Sequence, residues 1–221
     1  MTIARWGLIP IALTILVLGW GVWLLPEGPI RWAGLAVAGL LLLFVLWFFR
    51  NPARTPQGDA RCLTAPADGV VDDIAEDDHP WLGRCRRVGI FLSVFDVHVN
   101  RSPIDGRIVH ADYRPGAFLD VRDPDCRAVN EANELGIAAD PGVQPGLRVL
   151  VRQIAGLIAR RIVCTHGVGD ALRRGELFGM IRFGSRTEVW IPLDTPHAVV
   201  VREGDRVRCG ETILIRLGPP A

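Results

Sequence analysis

The chain contains no lysine, and all 25 of its basic residues are arginine. A lysine amine is what a pyridoxal enzyme uses to hold its cofactor, and it is the side chain that biotinyl and lipoyl carriers modify. Both classes are excluded. The five cysteines, Cys62, Cys85, Cys126, Cys164 and Cys209, are odd in number, scattered and without a Cys-x-x-Cys pair. That excludes a disulfide framework and a structural zinc site and leaves reduced, buried thiols. His79, His110, His166 and His197 show neither His-x-x-x-His nor His-Glu-x-x-His spacing, so no metal is expected. A net charge of +1 leaves no footprint for nucleic acid. Low-complexity segments are missing too. Any electrophile this chain presents to an amine must be made from something other than lysine.

Apolar residues are what the amino terminus has in excess. Mean hydropathy is +0.26 although 22% of the residues are charged, so the apolarity is concentrated somewhere. It lies in Trp6–Leu25 and Ile30–Phe49, each about 20 residues, the length a helix needs to cross a hydrocarbon layer of about 30 Å. Within them only Arg31, near one end, is charged; a charge at a helix centre costs about 2.5–3.5 kcal/mol on insertion scales. The intervening Pro26-Glu27-Gly28-Pro29 is a breaker cluster too short for a folded loop, which predicts a transmembrane hairpin over residues 1–50. Arg5 precedes the first span and Arg50 and Arg54 follow the second, against Arg31 alone at the turn. The positive-inside bias thus puts both termini, and a domain over residues 51–221, on the cytoplasmic side of the inner membrane. Trp6, Trp20, Trp23, Trp32 and Trp47 sit near span ends, as interfacial anchors do. The length of the first span, the second apolar run and the lack of a small-residue cleavage site argue against a removed signal peptide.

Beyond Arg54 the apolar runs shorten and are separated by Gly, Pro and Asp, the pattern of strands joined by tight turns. Strands are predicted at Val88–Val94, Arg107–Ala111, Arg148–Ile154, Leu157–Cys164, Thr187–Ile191, Ala198–Arg202 and Thr212–Arg216, with at most one helix, near Val168–Arg174. Ala65–Val71 and Val200–Glu211 look like two halves of a barrel-sandwich hybrid, the second carrying a Gly-Asp-x-Val-x-x-Gly turn. The expected fold is mainly β, a barrel-sandwich-hybrid-like domain behind a two-helix membrane hairpin.

Toward the carboxyl end stands Gly179-Met180-Ile181-Arg182-Phe183-Gly184-Ser185-Arg186. A serine hydroxyl can attack the preceding carbonyl, turn the amide into an ester and then be lost by elimination, which leaves an amino-terminal ketone. Alone, a Gly-Ser pair is a turn in nearly every protein. Together with Phe95-Asp96-Val97-His98-Val99-Asn100-Arg101-Ser102-Pro103 and Phe48-Phe49-Arg50-Asn51-Pro52-Ala53-Arg54, it resembles the signatures of the phosphatidylserine decarboxylases. The short bacterial and archaeal branch is the most similar, and the resemblance runs from Phe48 to Leu217.

The resemblance implies a proenzyme that cleaves itself between Gly184 and Ser185 into a β chain, Met1–Gly184, and an α chain, Ser185–Ala221, which remain associated. Ser185 becomes a covalent pyruvoyl group that forms an imine with phosphatidylserine, releases CO2 and yields phosphatidylethanolamine. His98 is the implied base and later acid, and Asp68 the carboxylate that orients it, as in a protease-like triad. Asn100 and Arg101 are weaker candidates for contact with the substrate phosphate. Phe91, Phe95 and Ile181 are apolar candidates for excluding water. Asn130, Glu131, Asn133 and Glu134 lie where the family carries an Asn-Glu-Arg cluster, but Leu135 stands in place of the arginine. No metal or nucleic-acid partner is implied; oligomeric state and acyl-chain preference are open. The competing class is an uncleaved, membrane-anchored barrel-sandwich adaptor without catalysis, which a small fragment beginning at residue 185 would exclude.

Overall fold

A computed structural model describes residues 2–120, 123, 125–157, 161–181 and 185–218. The chain divides into two compact units, Met1–Ala53 and Arg54–Ala221. In the first, helices Leu8–Trp23 and Pro29–Phe48 form an apolar pair that is long and apolar enough to cross a membrane. Pro29 at the start of the second helix fits the one turn where a missing N–H costs nothing. At the tight turn Gly28 takes a φ of 110°, a conformation that favours glycine. Arg31 bends back to donate to the Leu25 carbonyl at 2.7 Å, satisfying an orphan acceptor at the end of the first helix. At the opposite end Thr2–Ile3 pairs antiparallel with Arg50–Asn51, and the Ala4 N–H donates to the Phe49 carbonyl at 2.8 Å. The two ends of the hairpin are stapled together.

The second unit is mainly β, a curled half-barrel. Eight strands form its large sheet, in the order Ala171–Leu172, Gly106–Arg114, Ala132–Ala139, Arg148–Ile154, Ser185–Pro192, Gly83–Leu92, Gly69–His79, Arg206–Val207. All of its pairings are antiparallel. Two three-stranded sheets accompany it: His197–Val199, Ile213–Leu217 and Cys62–Thr64, and Ile162–Cys164, Leu177–Ile181 and Val99–Arg101. Alternate residues of the long strands point into one shared core, among them Val88, Ile90, Leu92, Ile137, Val149, Val151, Val189 and Ile191. The two stretches compared in the sequence do lie side by side: Arg206 pairs with Val70 and Val207 with Gly69, and the Gly210 N–H donates to the Ala65 carbonyl at 2.7 Å.

Three elements differ from the sequence reading. Residues 168–174 are not helical. Gly169 has a φ of 101° and Gly175 one of 80°, and the Asp170 carboxylate closes a turn on the Gly167 N–H at 2.9 Å, so only Ala171–Leu172 is regular, as a strand. Gly69–His79 is a long strand despite its five acidic residues. Its outward carboxylates meet arginines of the paired strand: Arg86 with Glu76 at 2.7 Å and Arg87 with Asp73 at 2.7 Å. Ala132–Ala139 is likewise a strand where none is predicted, with Leu135 and Ile137 in the core.

Candidate active site

Ser185 opens the Ser185–Pro192 strand, which runs between Gly83–Leu92 and Arg148–Ile154 near the middle of the large sheet. Central position buries both faces of the strand. Val189 and Ile191 point to the core, and Ser185 and Thr187 share their face by the two-residue period of a strand. Arg186, Glu188 and Trp190 take the other face. Ser185 is fully buried, and its Oγ has no hydrogen-bond partner among the described residues. A buried hydroxyl without a partner forfeits about 1–3 kcal/mol, so an orphan of this kind calls for an explanation. Gly184, with Arg182 and Phe183, lies outside the described residues.

His98 is fully buried just ahead of Val99–Arg101. Its backbone carbonyl accepts from the Ile181 N–H at 3.1 Å, which brings it to the strand that ends shortly before Ser185. The His98 Nδ1 lies 3.0 Å from the Asp96 carbonyl oxygen. A carbonyl can only accept, so the neutral ring carries its proton on Nδ1 and its lone pair on Nε2. The carbonyl is itself held by a closed turn in which the Asp96 carboxylate accepts from the Ser93 N–H at 2.8 Å and the Ser93 hydroxyl at 2.6 Å. Sequence reasoning missed this main-chain partner, because any residue can supply a carbonyl.

Asp68 lies just before Gly69, whose backbone presses so close to the Phe91 carbonyl that a Cβ there would overlap it. The Asp68 carboxylate accepts from Arg54 Nη2 at 2.9 Å and from the Cys209 N–H at 2.7 Å. Arg54 also bonds Glu211 at 3.0 Å. The arginine of the Phe48–Arg54 motif thus fixes the carboxylate of another motif, a link that sequence order does not reveal. Burial pushes the Cys209 thiol well above its ordinary value, with the Asp68 charge adding to it, so this cysteine is an inert wall.

Asn100 is fully buried, and its amide is committed to protein. It donates to the Pro66 carbonyl and the Thr187 hydroxyl, each at 3.3 Å, and accepts from Gln153 Nε2 at 2.8 Å. Gln153 in turn accepts from Asn133 at 3.0 Å. Asn100 therefore shapes the wall behind the Ser185 face rather than standing open to a head group. Arg101 donates to the Gly175 carbonyl at 2.8 Å. Ile181 is fully buried, as a water-excluding side chain should be, whereas Phe95 is 67% exposed at the tip of the Ser93–Asp96 turn and does not fill that role.

Side chains of the 130–135 segment are held by internal contacts. Asn130 clasps Leu119 and Ala155 through its amide. Glu134 faces His79 at 3.2 Å and Arg152 at 3.1 Å. Burial alone would push the Glu134 carboxyl up, but the His79 hydrogen bond, with Arg152 and His110 beside it, outweighs burial and holds it below the ordinary range. A depressed carboxylate contributes stability above its unfolded value and loses it as pH falls through the lower folded one. Glu134→Gln is thus expected to lower unfolding stability by about 1.5–3 kcal/mol at neutral pH. The gap to the parent should close as pH falls below roughly 4, read from thermal unfolding across pH. A gap independent of pH would refute the assignment. Among the described residues no group of His, Cys, Asp and Glu is placed to hold a metal ion.

The β-rich domain thus sets a buried serine at the head of a central strand, close in sequence to a segment paired with the one that carries a buried histidine. Comparison with known proteins gives the kind of protein. The family model described as phosphatidylserine decarboxylase matches residues 41–215. A phosphatidylserine decarboxylase proenzyme from Symbiobacterium thermophilum is 49% identical over 85% of this chain and 86% of its own. One from Trichlorobacter lovleyi is 49% identical over 83% and 81%, and one from Geotalea daltonii 42% over 92% and 88%. The chain belongs to the phosphatidylserine decarboxylase family.

Proposed function

We propose that the chain is a membrane-anchored proenzyme that converts its own Ser185 into a pyruvoyl group and then decarboxylates phosphatidylserine to phosphatidylethanolamine. The observation that carries this reading is the fully buried Ser185 Oγ, without a hydrogen-bond partner among the described residues, at the head of a central strand. Such a hydroxyl is desolvated and free to attack the carbonyl carbon of residue 184. As the new C–O bond forms, the Gly184–Ser185 C–N bond breaks and the freed amine stays on residue 185. Loss of the Cα proton then expels the ester carboxylate as a new carboxyl terminus at Gly184. Water replaces the nitrogen, which departs as ammonia, and a keto group remains on residue 185. No outside oxidant is needed.

His98 Nε2, whose lone pair is set by the Asp96 carbonyl, takes the hydroxyl proton in the first step. The Asp96 carbonyl accepts from the Nδ1–H of the imidazolium that results, and Asp68, whose carboxylate is fixed by Arg54, is assigned to offset its charge through the field alone. The pyruvoyl ketone supplies the electrophile for the substrate amine and the sink for the electrons left when CO2 departs. His98 returns a proton to the carbon that has lost its carboxylate, and the buried Ile181 keeps water from competing.

A hairpin that anchors the chain in the bilayer would tether the enzyme to the layer that holds its lipid substrate. Its ends are stapled on one side, and the arginine bias makes that side the cytoplasmic face of the inner membrane. Purified protein should run on a denaturing gel as two fragments. The smaller should begin at residue 185, resist amino-terminal sequencing and gain a hydroxylamine adduct in its intact mass. A single unbroken polypeptide that still releases CO2 from phosphatidylserine would exclude the reading.

A further inference from the structure

We infer that the Arg186 side chain is the anchor that holds the new terminus of the small chain, and the ketone on residue 185, in the site after the backbone has broken. The inference rests on the reading that the chain breaks before Ser185. A strand that begins at a free end frays at its first residues. Ser185 is exposed to this, because it pairs only with Leu92 on one side, whereas Arg186 is the first residue paired on both, with Phe91 and Ile154.

The Arg186 guanidinium is gripped by three carboxylates. Its Nε donates to Glu188 Oε1 at 2.9 Å, Nη1 meets Asp72 Oδ2, and Nη2 donates to Asp73 Oδ2 at 3.0 Å. Consecutive strand residues ordinarily face opposite sides. A register shift between Val71 and Asp73 against the neighbouring strand makes Asp72 an extra residue, and the bulge brings both acids to one guanidinium. Gly89 supplies the passage, for a Cβ there would overlap the guanidinium as it crosses the intervening strand. Glu188 is fully buried and held again by Trp190 Nε1 at 3.1 Å and by Arg87 at 3.5 Å. The grip is therefore set into the sheet rather than into a loop. A planar fork of donors suits three carboxylates in a way that an ammonium does not.

None of these contacts reaches the reacting atoms, so Arg186 is a positioning residue. Its effect should appear after cleavage rather than before it. The test uses the full-length chain in detergent as parent, Arg186→Met, Arg186→Lys and the Asp72→Asn/Asp73→Asn double variant. Cleavage is followed by intact mass, ketone content by hydroxylamine adduct, order at residues 186–188 by hydrogen exchange, and turnover by separate kcat and KM. The expected result for Arg186→Met is a cleaved, ketone-bearing protein with faster exchange at these amides. Its kcat should fall about 10- to 100-fold while KM stays near the parent's, and Arg186→Lys should recover part of the loss. Parental exchange and kcat in a matured Arg186→Met would overturn the inference, and so would a folded Arg186→Met that never cleaves. Should that variant not fold, the double variant decides by the same readouts, parental values again overturning the inference. A parent that is never cleaved refutes the functional reading itself, which is a different outcome from a cleaved parent indifferent to Arg186→Met.

Discussion

Ser185→Ala is expected to yield a single unbroken polypeptide and to abolish CO2 release from phosphatidylserine, a loss of about 10⁶-fold or more because no electrophile remains to replace the one removed. With no lysine anywhere in the sequence, the chain has no amine on which to hold a pyridoxal aldehyde that could replace the lost ketone. The substitution should leave the fold intact. Ser185 Oγ makes no hydrogen bond to the described residues, so removing it breaks none of theirs, and an unchanged or slightly raised thermal midpoint is expected. The pair of measurements separates chemistry from folding. A Ser185→Ala protein that still matures would show that another residue is the nucleophile.

The second large effect is expected at His98. His98→Ala should slow self-cleavage by about 10²- to 10⁴-fold, the usual contribution of a positioned general base. The proenzyme should then accumulate and be visible by mass. A neighbouring substitution tests the tautomer. Asp96→Ala keeps the carbonyl that His98 Nδ1 faces but removes the carboxylate that closes the Ser93–Asp96 turn at 2.6 and 2.8 Å. It should slow cleavage less than His98→Ala and more than a change at the exposed Phe95. Parental cleavage in His98→Ala would dismiss the imidazole as base.

The strands carrying the chemistry could be read in the sequence where local pattern and tertiary environment agree. Arg148–Ile154 and the core of Ser185–Pro192 alternate or run apolar in the manner of buried strands, and both were found within a few residues. Gly69–His79 escaped because its acids read as loop until the arginines across from them are known, and those pairings are a matter of register. A helix near residues 168–174 stays possible on pattern alone until the positive φ of Gly169 is known. Among the candidate site residues, Ser185, His98 and Asp68 are singled out by their motifs. Gln153, Thr187 and the Asp96 carbonyl did not: the buried amide chain joins residues far apart in sequence, and single Asn, Gln and Thr side chains carry no local signature. Arg54 and Arg186 stood inside recognised motifs, but their partners lie on other elements.

The staple between Thr2–Ile3 and Arg50–Asn51 bears on biogenesis. It joins residues on either side of the helix pair, so it can form only once both helices have been synthesised. Insertion one helix at a time would leave the Thr2–Ile3 backbone groups waiting for partners. It also fixes where an added tag must go: a reporter fused ahead of Thr2 should enter the same compartment as the carboxyl-terminal half, and protease protection of the two would rise and fall together.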